Sequence, residues 1–314
     1  MSLLRASRVQ VLLAFAAVYV IWGSTYLAIR YAIETMPPFL MAGARFSIAG
    51  AGLYAFARAR GAVRPELRHW RSAAIAGVLL LLGGNGAVVW SELRVPSGAA
   101  ALLVATVPLW IVVLESLRAG GTRPSRSVII GIVLGLAGLV LLVGPGNIAG
   151  HALDPLGASV LLLGTLAWSA GSLYVRGAKL PASPFLSVAM EMLCGGAALL
   201  LLGLVTGEPW HLQLERITPR SLLALGYLIV FGALVAFTSY VWLLKASTPA
   251  RVATYAYVNP VVAVLLGWWL AGEALTARMV VASAVIVIGV AVTTTPPGVW
   301  LRRKRRPSVP FAAS

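Results

Sequence analysis

Residues 11–30, V-L-L-A-F-A-A-V-Y-V-I-W-G-S-T-Y-L-A-I-R, indicate the fold class of this chain, because they carry no charge before the last residue, Arg30. A helix needs about 20 mainly apolar residues to cross a bilayer core. The run has that length, and it lacks the strict alternation of a strand in an outer-membrane barrel. No small-residue cleavage site follows it, so we interpret it as a retained membrane helix rather than a signal peptide.

Similar apolar stretches follow along the rest of the chain. The ten expected spans are 11–30, 37–58, 72–90, 97–117, 127–144, 155–176, 184–206, 221–243, 250–271 and 277–295. Ten spans of about 20 residues leave only short loops and two tails, so we expect no soluble domain. The sequence predicts an all-α integral membrane protein with ten transmembrane helices, numbered here in chain order.

The composition agrees with a lipid environment. Hydrophobic residues make up 60% of the 314 residues and charged residues 11%, whereas soluble domains have about 45–50% and about 25%. Cys194 is the one cysteine, which excludes an internal disulfide and a cysteine-based metal site. His69, His151 and His211 fall in polar connecting stretches, and no ATPase or hydrolase motif occurs. We therefore predict no cofactor, no metal and no enzyme activity.

The basic residues indicate the topology. There are 25 Lys and Arg against 9 Asp and Glu, a net charge of +16, which alone would suggest nucleic acid or an anionic surface. With the N-terminus in the cytoplasm, nineteen basic residues fall in cytoplasmic segments and five on the opposite side, while Arg45 lies within a helix. By the positive-inside rule both termini are cytoplasmic, and we expect no nucleic-acid partner.

The two halves of the chain resemble each other. The matched positions are Trp22 with Trp168, Arg30 with Arg176, Pro38-Phe39-Leu40 with Pro184-Phe185-Leu186, Trp90 with Trp242, and Pro108 with Pro260. We divide the chain into a first repeat (1–145), a second repeat (151–295) and a basic cytoplasmic tail (296–314). Because each repeat has an odd number of helices, five, the second repeat enters the membrane from the opposite face.

Inverted repeats are typical of secondary transporters, whose substrate site lies near the midplane between the halves. Two similar halves of opposite orientation can exchange conformations, so that one site opens to either side in turn. A membrane scaffold or a channel that arose by duplication is the alternative.

Several blocks resemble the EamA-type permeases, the ten-helix branch of the drug/metabolite transporter superfamily. These blocks are I-W-G-S-T-Y-L-A-I-R (21–30), P-P-F-L-M-A-G-A-R-F (37–46), G-N-G (84–86), V-P-S-G-A-A-A-L-L-V-A-T-V-P-L (95–109), A-T-Y-A-Y-V-N-P-V-V-A-V-L-L-G (253–267) and Gly272-Glu273. The resemblance implies a bacterial inner-membrane exporter of amino acids or similar metabolites, with a central cavity lined by helices 1, 3, 4, 6, 8 and 9. The position matching Glu273 in the first half, Gly121 or a neighbour, is not acidic, so a role for Glu273 would not be duplicated.

Aromatic and hydroxyl side chains mark the expected cavity. In helix 1, Tyr19, Trp22 and Tyr26 are spaced by three and four residues and share one face. Such a lining suits an amphipathic substrate, although aromatic packing between helices is the alternative. The predicted cavity residues are Tyr19, Trp22, Tyr26, Asn85, Trp90, Trp168, Ser172, Phe231, Thr238, Tyr257 and Asn259.

Two prolines are candidates for hinges. Pro108 and Pro260 fall near the centres of expected helices 4 and 9, where a proline removes one backbone hydrogen bond. The freed carbonyl must be satisfied by a neighbouring group or by a water-lined cavity. Matched prolines in both repeats predict paired kinks or broken helices around the site, and static kinks are the alternative.

Two charges fall inside expected spans at matched positions, Arg45 in helix 2 and Glu191 in helix 7. A charge at the bilayer centre costs about 3 kcal/mol or more, so each should face the bundle interior or a partner. Glu191 is the candidate for a proton-coupling carboxylate. An Arg45–Glu191 pair requires a small axial offset, and a structural anchor in each half is the alternative.

The inverted repeats therefore predict a secondary transporter, and the resemblance implies that it exports amino acids or related metabolites across the bacterial inner membrane. The bilayer and a small-molecule substrate are its expected partners, and we expect it to work as a monomer. Proton-coupled efflux of hydrophobic cations or drugs is the competing function.

Overall fold

The structure is a computed structural model that describes residues 7–95, 100, 103–118, 124–143, 154–271 and 276–294. Gly121, the Gly272-Glu273 pair and the basic tail 296–314 lie outside the described residues. The longer helices are α1 (Arg8–Ile33), α2 (Pro38–Ala59), α3 (Leu67–Ser91), α4 (Val107–Leu117), α5 (Arg126–Val143), α6 (Pro155–Gly177), α7 (Pro184–Val205), α8 (Pro219–Ala246), α9 (Tyr255–Ala271) and α10 (Ala277–Thr294).

The prediction of an all-helical membrane protein is confirmed. Six helices, α1, α2, α3, α6, α7 and α8, are long and apolar enough to cross a membrane, and α4, α5 and α10 contain shorter apolar helices. In the described part of the chain no residue belongs to a β-strand. Large apolar side chains such as Leu12, Leu163 and Leu223 are exposed on the outer surface, as expected for a surface that faces lipid.

Local sequence signals set the helix starts. Ser7 and Gln10 form a capping box at the start of α1, with reciprocal backbone-to-side-chain hydrogen bonds of 3.0 and 3.1 Å. Proline occupies the first turn of α2, α6, α7 and α8, where its missing N–H costs nothing. The loop after α7 turns at Gly207, whose φ of 78° lies in the left-handed region that favours glycine.

Two helices change their winding in the middle. Val78–Gly86 in α3 and Leu228–Phe237 in α8 are π-helical, and their positions correspond in the two halves of the chain. A π-helix bonds each residue to the fifth one along the chain rather than the fourth. Side chains beyond these segments therefore face directions that regular α-helical spacing does not predict.

The helices that carry the candidate hinges are interrupted, but not at the prolines themselves. Expected helix 4 has a turn at Ala105–Thr106, so Pro108 lies in the first turn of α4 rather than at a helix centre. Expected helix 9 is divided into a short helix, Pro249–Val252, and α9, which contains Pro260. A proline at 108 has no N–H to donate to the preceding turn, which explains why that helix begins anew close to it.

Glycines bring two helix pairs into close contact. On α2, a methyl group added at Gly43 would lie 2.7 Å from Leu200 of α7, and one at Gly50 would lie 2.9 Å from Met192. On α5, a methyl group at Gly138 would lie 2.8 Å from Ile286 of α10. Small residues permit this approach in bilayers. The α2–α7 and α5–α10 pairs flank a centre formed by α1, α3, α6, α8 and α9.

Candidate functional site

A cavity of about 80 Å³ opens at the centre of the bundle. It contacts all six helices that the family resemblance implies and also α2. Its lining consists of Trp22, Thr25, Tyr26, Ile29, Arg45, Phe46, Gly84, Asn85, Val88, Val104 and Val107 from the first half, and Gly164, Thr165, Trp168, Gly232, Phe237, Tyr255 and Asn259 from the second half.

Aromatic rings form one wall of the cavity. The ring centroid of Trp22 lies 5.6 Å from that of Trp168, 5.0 Å from Tyr240 and 4.9 Å from Tyr255. Edge and tilted contacts at this spacing are favourable for aromatic pairs. The Trp168 indole N–H donates to the Tyr240 hydroxyl at 2.8 Å, and that hydroxyl pairs with Ser172 Oγ at 2.6 Å. This aromatic wall thus joins both halves of the chain.

Hydroxyl groups link α1 to the second half beside this wall. The Tyr19 hydroxyl lies 2.5 Å from Thr254 Oγ1, and Ser24 Oγ lies 2.6 Å from the Tyr227 hydroxyl. The Trp22 indole N–H donates to the Gly232 carbonyl at 3.3 Å. These are neutral hydrogen bonds of moderate strength, so they can hold the halves together without preventing separation.

Two polar side chains in the cavity lining have buried atoms without a hydrogen-bond partner. Arg45 is 4% exposed, and its Nε and Nη1 atoms are buried without a hydrogen bond. Its guanidinium lies 4.3 Å from the centroid of the Phe46 ring. Asn85 Oδ1 is likewise buried without a donor. Because an unpaired buried polar group costs free energy, the cavity offers a cation and an acceptor to a ligand.

Asn259 is already engaged. In the amide orientation that satisfies its neighbours, its nitrogen donates to the carbonyls of Tyr255 at 3.0 Å and Tyr19 at 3.2 Å. Its side chain also hydrogen-bonds Tyr26. Asn259 therefore ties α9 to α1 while lining the cavity.

Glu92 is a charged residue near the site that the sequence analysis did not select. It is the first residue after α3, and its Oε1 is buried without a partner. Its carboxylate attracts Arg45 and Arg30, but in the described part of the chain neither lies within the 4.0 Å of an ion pair. Burial raises the pKa of Glu92 to about 8, against the lowering effect of the two arginines. Its position beside Arg45 depends on the packing of α3 against α2.

Glu191 lies elsewhere in the bundle. It is fully buried on α7, both carboxylate oxygens lack a hydrogen-bond partner, and its backbone packs against Gly77 of α3. The Arg45–Glu191 pair is not formed, because α2 and α7 run antiparallel with Gly43 facing Leu200 and Gly50 facing Met192. That register puts the two charges at different depths.

The structure brings together about half of the predicted residues. Trp22, Tyr26, Arg45, Asn85, Trp168 and Asn259 line the cavity. Tyr19 and Ser172 lie beside it in the hydrogen bonds described above. The remaining predicted residues, Trp90, Pro108, Glu191, Phe231, Thr238, Tyr257 and Pro260, are not part of its lining.

Their surroundings explain why some of them face away. Phe231 is 45% exposed and stacks on Tyr227. Tyr257 is fully buried against Gly135 of α5, and Trp90 lies under the guanidinium of Arg94. In α8 the π-helical segment presents Gly232 and Phe237, five residues apart, to the cavity. Phe231 and Thr238 are seven residues apart and would share one face only in a regular α-helix.

Sequence reasoning also missed several lining residues. Thr25 follows Trp22 by three residues on the selected face of α1, so helical spacing could have identified it. Phe46 adjoins Arg45 and Tyr255 begins α9, and nothing in their local sequence distinguishes them from packing residues. Their role depends on which helix faces meet.

Comparison with known proteins gives a consistent result. The family model described as EamA-like transporter family matches residues 9–144 and again residues 155–295. The chain is 42% identical over 283 residues to the uncharacterized inner membrane transporter YedA of Escherichia coli (strain K12), covering 90% of this chain and 89% of YedA. It is 24% identical over 296 residues to the uncharacterized transporter YoaV of Bacillus subtilis (strain 168), covering 91% of this chain and 97% of YoaV.

A solved crystal structure of a protein has a similar fold, with a TM-score of 0.74 at 26% identity, over 92% of this chain and 97% of the other. The expected localisation is confirmed, because the apolar helices and the inner-membrane relative agree on a multi-pass inner membrane protein. The double family match and the 42% identical relative carry the classification. The chain belongs to the EamA-like transporter family, within the drug/metabolite transporter superfamily.

Proposed function

We propose that the protein is a secondary transporter that exports amino acids or related small metabolites by alternating access through the central cavity. In this proposal ten transmembrane helices form two inverted five-helix repeats, 1–145 and 151–295, with both termini and the tail 296–314 in the cytoplasm. The observation that carries it is the cavity, whose lining comes from both segments that match the family model.

The packing supports a two-fold relation between the repeats. The π-helical segment of α3 packs against α6, as that of α8 packs against α1. Likewise α4 packs against α6, and α9 against α1. In the proposed repeat, α6 corresponds to α1, α8 to α3 and α9 to α4. The contacts of α3 and α4 with α6 are therefore equivalent to those of α8 and α9 with α1. Inverted repeats of this kind place the substrate at their interface.

The competing function, efflux of hydrophobic cations, is less well supported. Such a substrate requires an acidic group in the cavity, whereas the described lining residues include the cation Arg45 and no carboxylate. Glu92 and Glu191 lie outside the lining, and the charge of Arg45 would repel a cation in this non-aqueous site.

The experiment is a counterflow screen in proteoliposomes with the standard amino acids, each with and without a pH gradient. Saturable exchange of labelled amino acid, absent from protein-free vesicles, is the expected result. Exchange restricted to hydrophobic cations would replace the proposed substrate class. Flux of every solute without counterflow would identify a channel.

We further propose that Glu191 couples transport to protons. A buried carboxylate without a partner is costly in its charged form. In this proposal Glu191 therefore takes up a proton while it is buried and releases it when a movement of α7 exposes it. We expect Glu191→Gln to abolish the dependence of transport on a pH gradient while leaving substrate binding intact. A variant that still accumulates substrate in response to the gradient would contradict this role.

A further inference from the structure

Arg45 presents an uncompensated positive charge to the central cavity. It is 4% exposed, its Nε and Nη1 atoms have no hydrogen-bond partner, and it belongs to the cavity lining. A guanidinium does not lose its proton under physiological conditions. A buried charge without a hydrogen-bonded partner is strongly unfavourable, so the site is incomplete without an anion.

The acid near Arg45 does not complete the site. Glu92 attracts Arg45, but it is farther away than an ion pair and it is not part of the cavity lining. One of its own oxygens is also buried without a donor. The Nε and Nη1 donors of Arg45 are therefore available to a ligand, and Glu92 is too far away to occupy them.

The other groups of the cavity define the rest of the ligand. Asn85 Oδ1 is a buried acceptor without a donor, which suits an ammonium or amide N–H. Trp22 and Trp168 come from opposite repeats, and their rings lie together in one wall of the cavity, where they offer apolar surface. A planar guanidinium matches a carboxylate by two parallel hydrogen bonds.

We propose that Arg45 is the carboxylate-binding residue of this transporter. Its substrates are compounds with one carboxylate, a hydrogen-bond donor that reaches Asn85, and an apolar body held by the aromatic wall. This inference rests on the proposed function and deepens it, because it assigns the recognition of the substrate to named groups.

The test compares ligands on the unchanged protein first. L-phenylalanine, L-phenylalaninamide and 3-phenylpropionate compete against labelled L-phenylalanine for counterflow in proteoliposomes. The amide keeps the ring and the ammonium but lacks the carboxylate, so we expect it to compete about 10- to 150-fold more weakly, the range for one hydrogen bond to a charged group. We expect 3-phenylpropionate to lose less than the amide, because it keeps the anion. This comparison needs no variant that must fold.

Substitutions then test the residue. Arg45→Gln should abolish exchange of L-phenylalanine, and Arg45→Lys should restore part of it with a raised KM, because a lysine keeps the charge but not the fork. Arg278→Gln, a matched change of an exposed arginine in α10, should leave exchange unchanged.

The outcomes separate the two proposals. If the unchanged protein exchanges L-phenylalanine but its amide competes equally well, or if Arg45→Gln exchanges normally, the assignment of Arg45 is wrong and the transporter proposal stands. If the unchanged protein exchanges no amino acid in the screen, the proposed substrate class fails, and the assignment of Arg45 fails with it.

Discussion

The ring of Trp22 occupies a junction between the two halves of the chain. It contacts three aromatic rings, all from the second half, and it donates a hydrogen bond to the Gly232 carbonyl. Because it also lines the cavity, we expect this one side chain both to hold the halves together and to contact the proposed substrate.

Trp22→Ala tests this double role. Each aromatic pair contributes about 0.5–1.5 kcal/mol beyond its area, so we expect substrate affinity to fall about tenfold or more. Binding to the purified protein in detergent measures the effect. Trp210→Ala, at a tryptophan that is 88% exposed, is the matched control. Equal affinity of the two variants would show that the aromatic wall does not contact the substrate.

The raised pKa of Glu92 leads us to predict that substrate binding depends on pH. Glu92 faces Arg45 of α2 and the Arg30 and Tyr26 side chains of α1. With a pKa of about 8, Glu92 is neutral at lower pH and competes with the substrate carboxylate for Arg45 only when it ionises. Affinity for L-phenylalanine should therefore fall as the pH rises from about 7 to about 9.

Glu92→Gln should remove this fall, because glutamine carries no charge at any pH. Calorimetric titration at several pH values measures it, and the same titration with 3-phenylpropionate, which has no ammonium, separates the effect of Glu92 from titration of the ligand. An unchanged pH profile in the variant would exclude Glu92 as the titrating group.

At the scale of the helices, the two π-helical segments decide which residues reach the cavity. Gly84 lies in the segment of α3, and a methyl group there would lie 2.6 Å from Cε3 of Trp168 on α6. That distance is shorter than any relaxed carbon–carbon contact. The close approach of α3 and α6 therefore requires glycine at this position.

We expect Gly84→Ala to displace the Trp168 ring, reduce transport at least about fivefold and lower the Tm by several degrees, as steric overlap in a packed site typically costs about 1–3 kcal/mol. Gly52→Ala on α2 is the control, since nothing lies within 4 Å of a methyl group there. Thermal unfolding in detergent and counterflow provide the two readouts. A Tm for Gly84→Ala equal to that of the control would contradict the close packing.

At the scale of the whole molecule, the proposed alternating access would separate the halves beside the aromatic wall. Tyr19 of α1 and Thr254, next to α9, form one of the links, at 2.5 Å. A covalent link at this point should hold the halves together and stop exchange.

The experiment introduces Tyr19→Cys and Thr254→Cys together in a Cys194→Ala background and joins them with a short reducible bifunctional thiol reagent. We expect counterflow to fall below about a tenth of its initial rate and to recover on reduction. Each single cysteine variant, treated alike, is the control. Undiminished counterflow in the linked protein would show that this contact does not open during transport.

Much of the fold could be predicted from the sequence. Hydropathy indicates a membrane helix within a window of about 20 residues, so the long spans agree with the helices observed, for example 184–206 with Pro184–Val205. The breaks at Ala105–Thr106 and Ala253–Thr254 were not expected at those positions. Hydropathy does not detect them, because a broken helix in a protein interior is as apolar as a continuous one.

The candidate site was predicted less completely. Trp22, Tyr26 and Asn85 line the cavity, as their face or local sequence suggested, whereas Phe231 and Tyr257 do not. In α8 the cause is the π-helical segment, which rotates the following residues relative to regular α-helical spacing. No spacing rule applied to the sequence reveals such a segment.

The membrane class, the family and a charge within an apolar span of α2 follow from the amino-acid sequence alone. These properties depend on composition and on residues that are close together in the chain. The three-dimensional packing places Arg45 at the cavity, with Nε and Nη1 lacking a hydrogen-bond partner, near Glu92 and away from Glu191. The environment of a buried charge depends on the register and rotation of the helices around it, which are set by packing between segments distant in sequence.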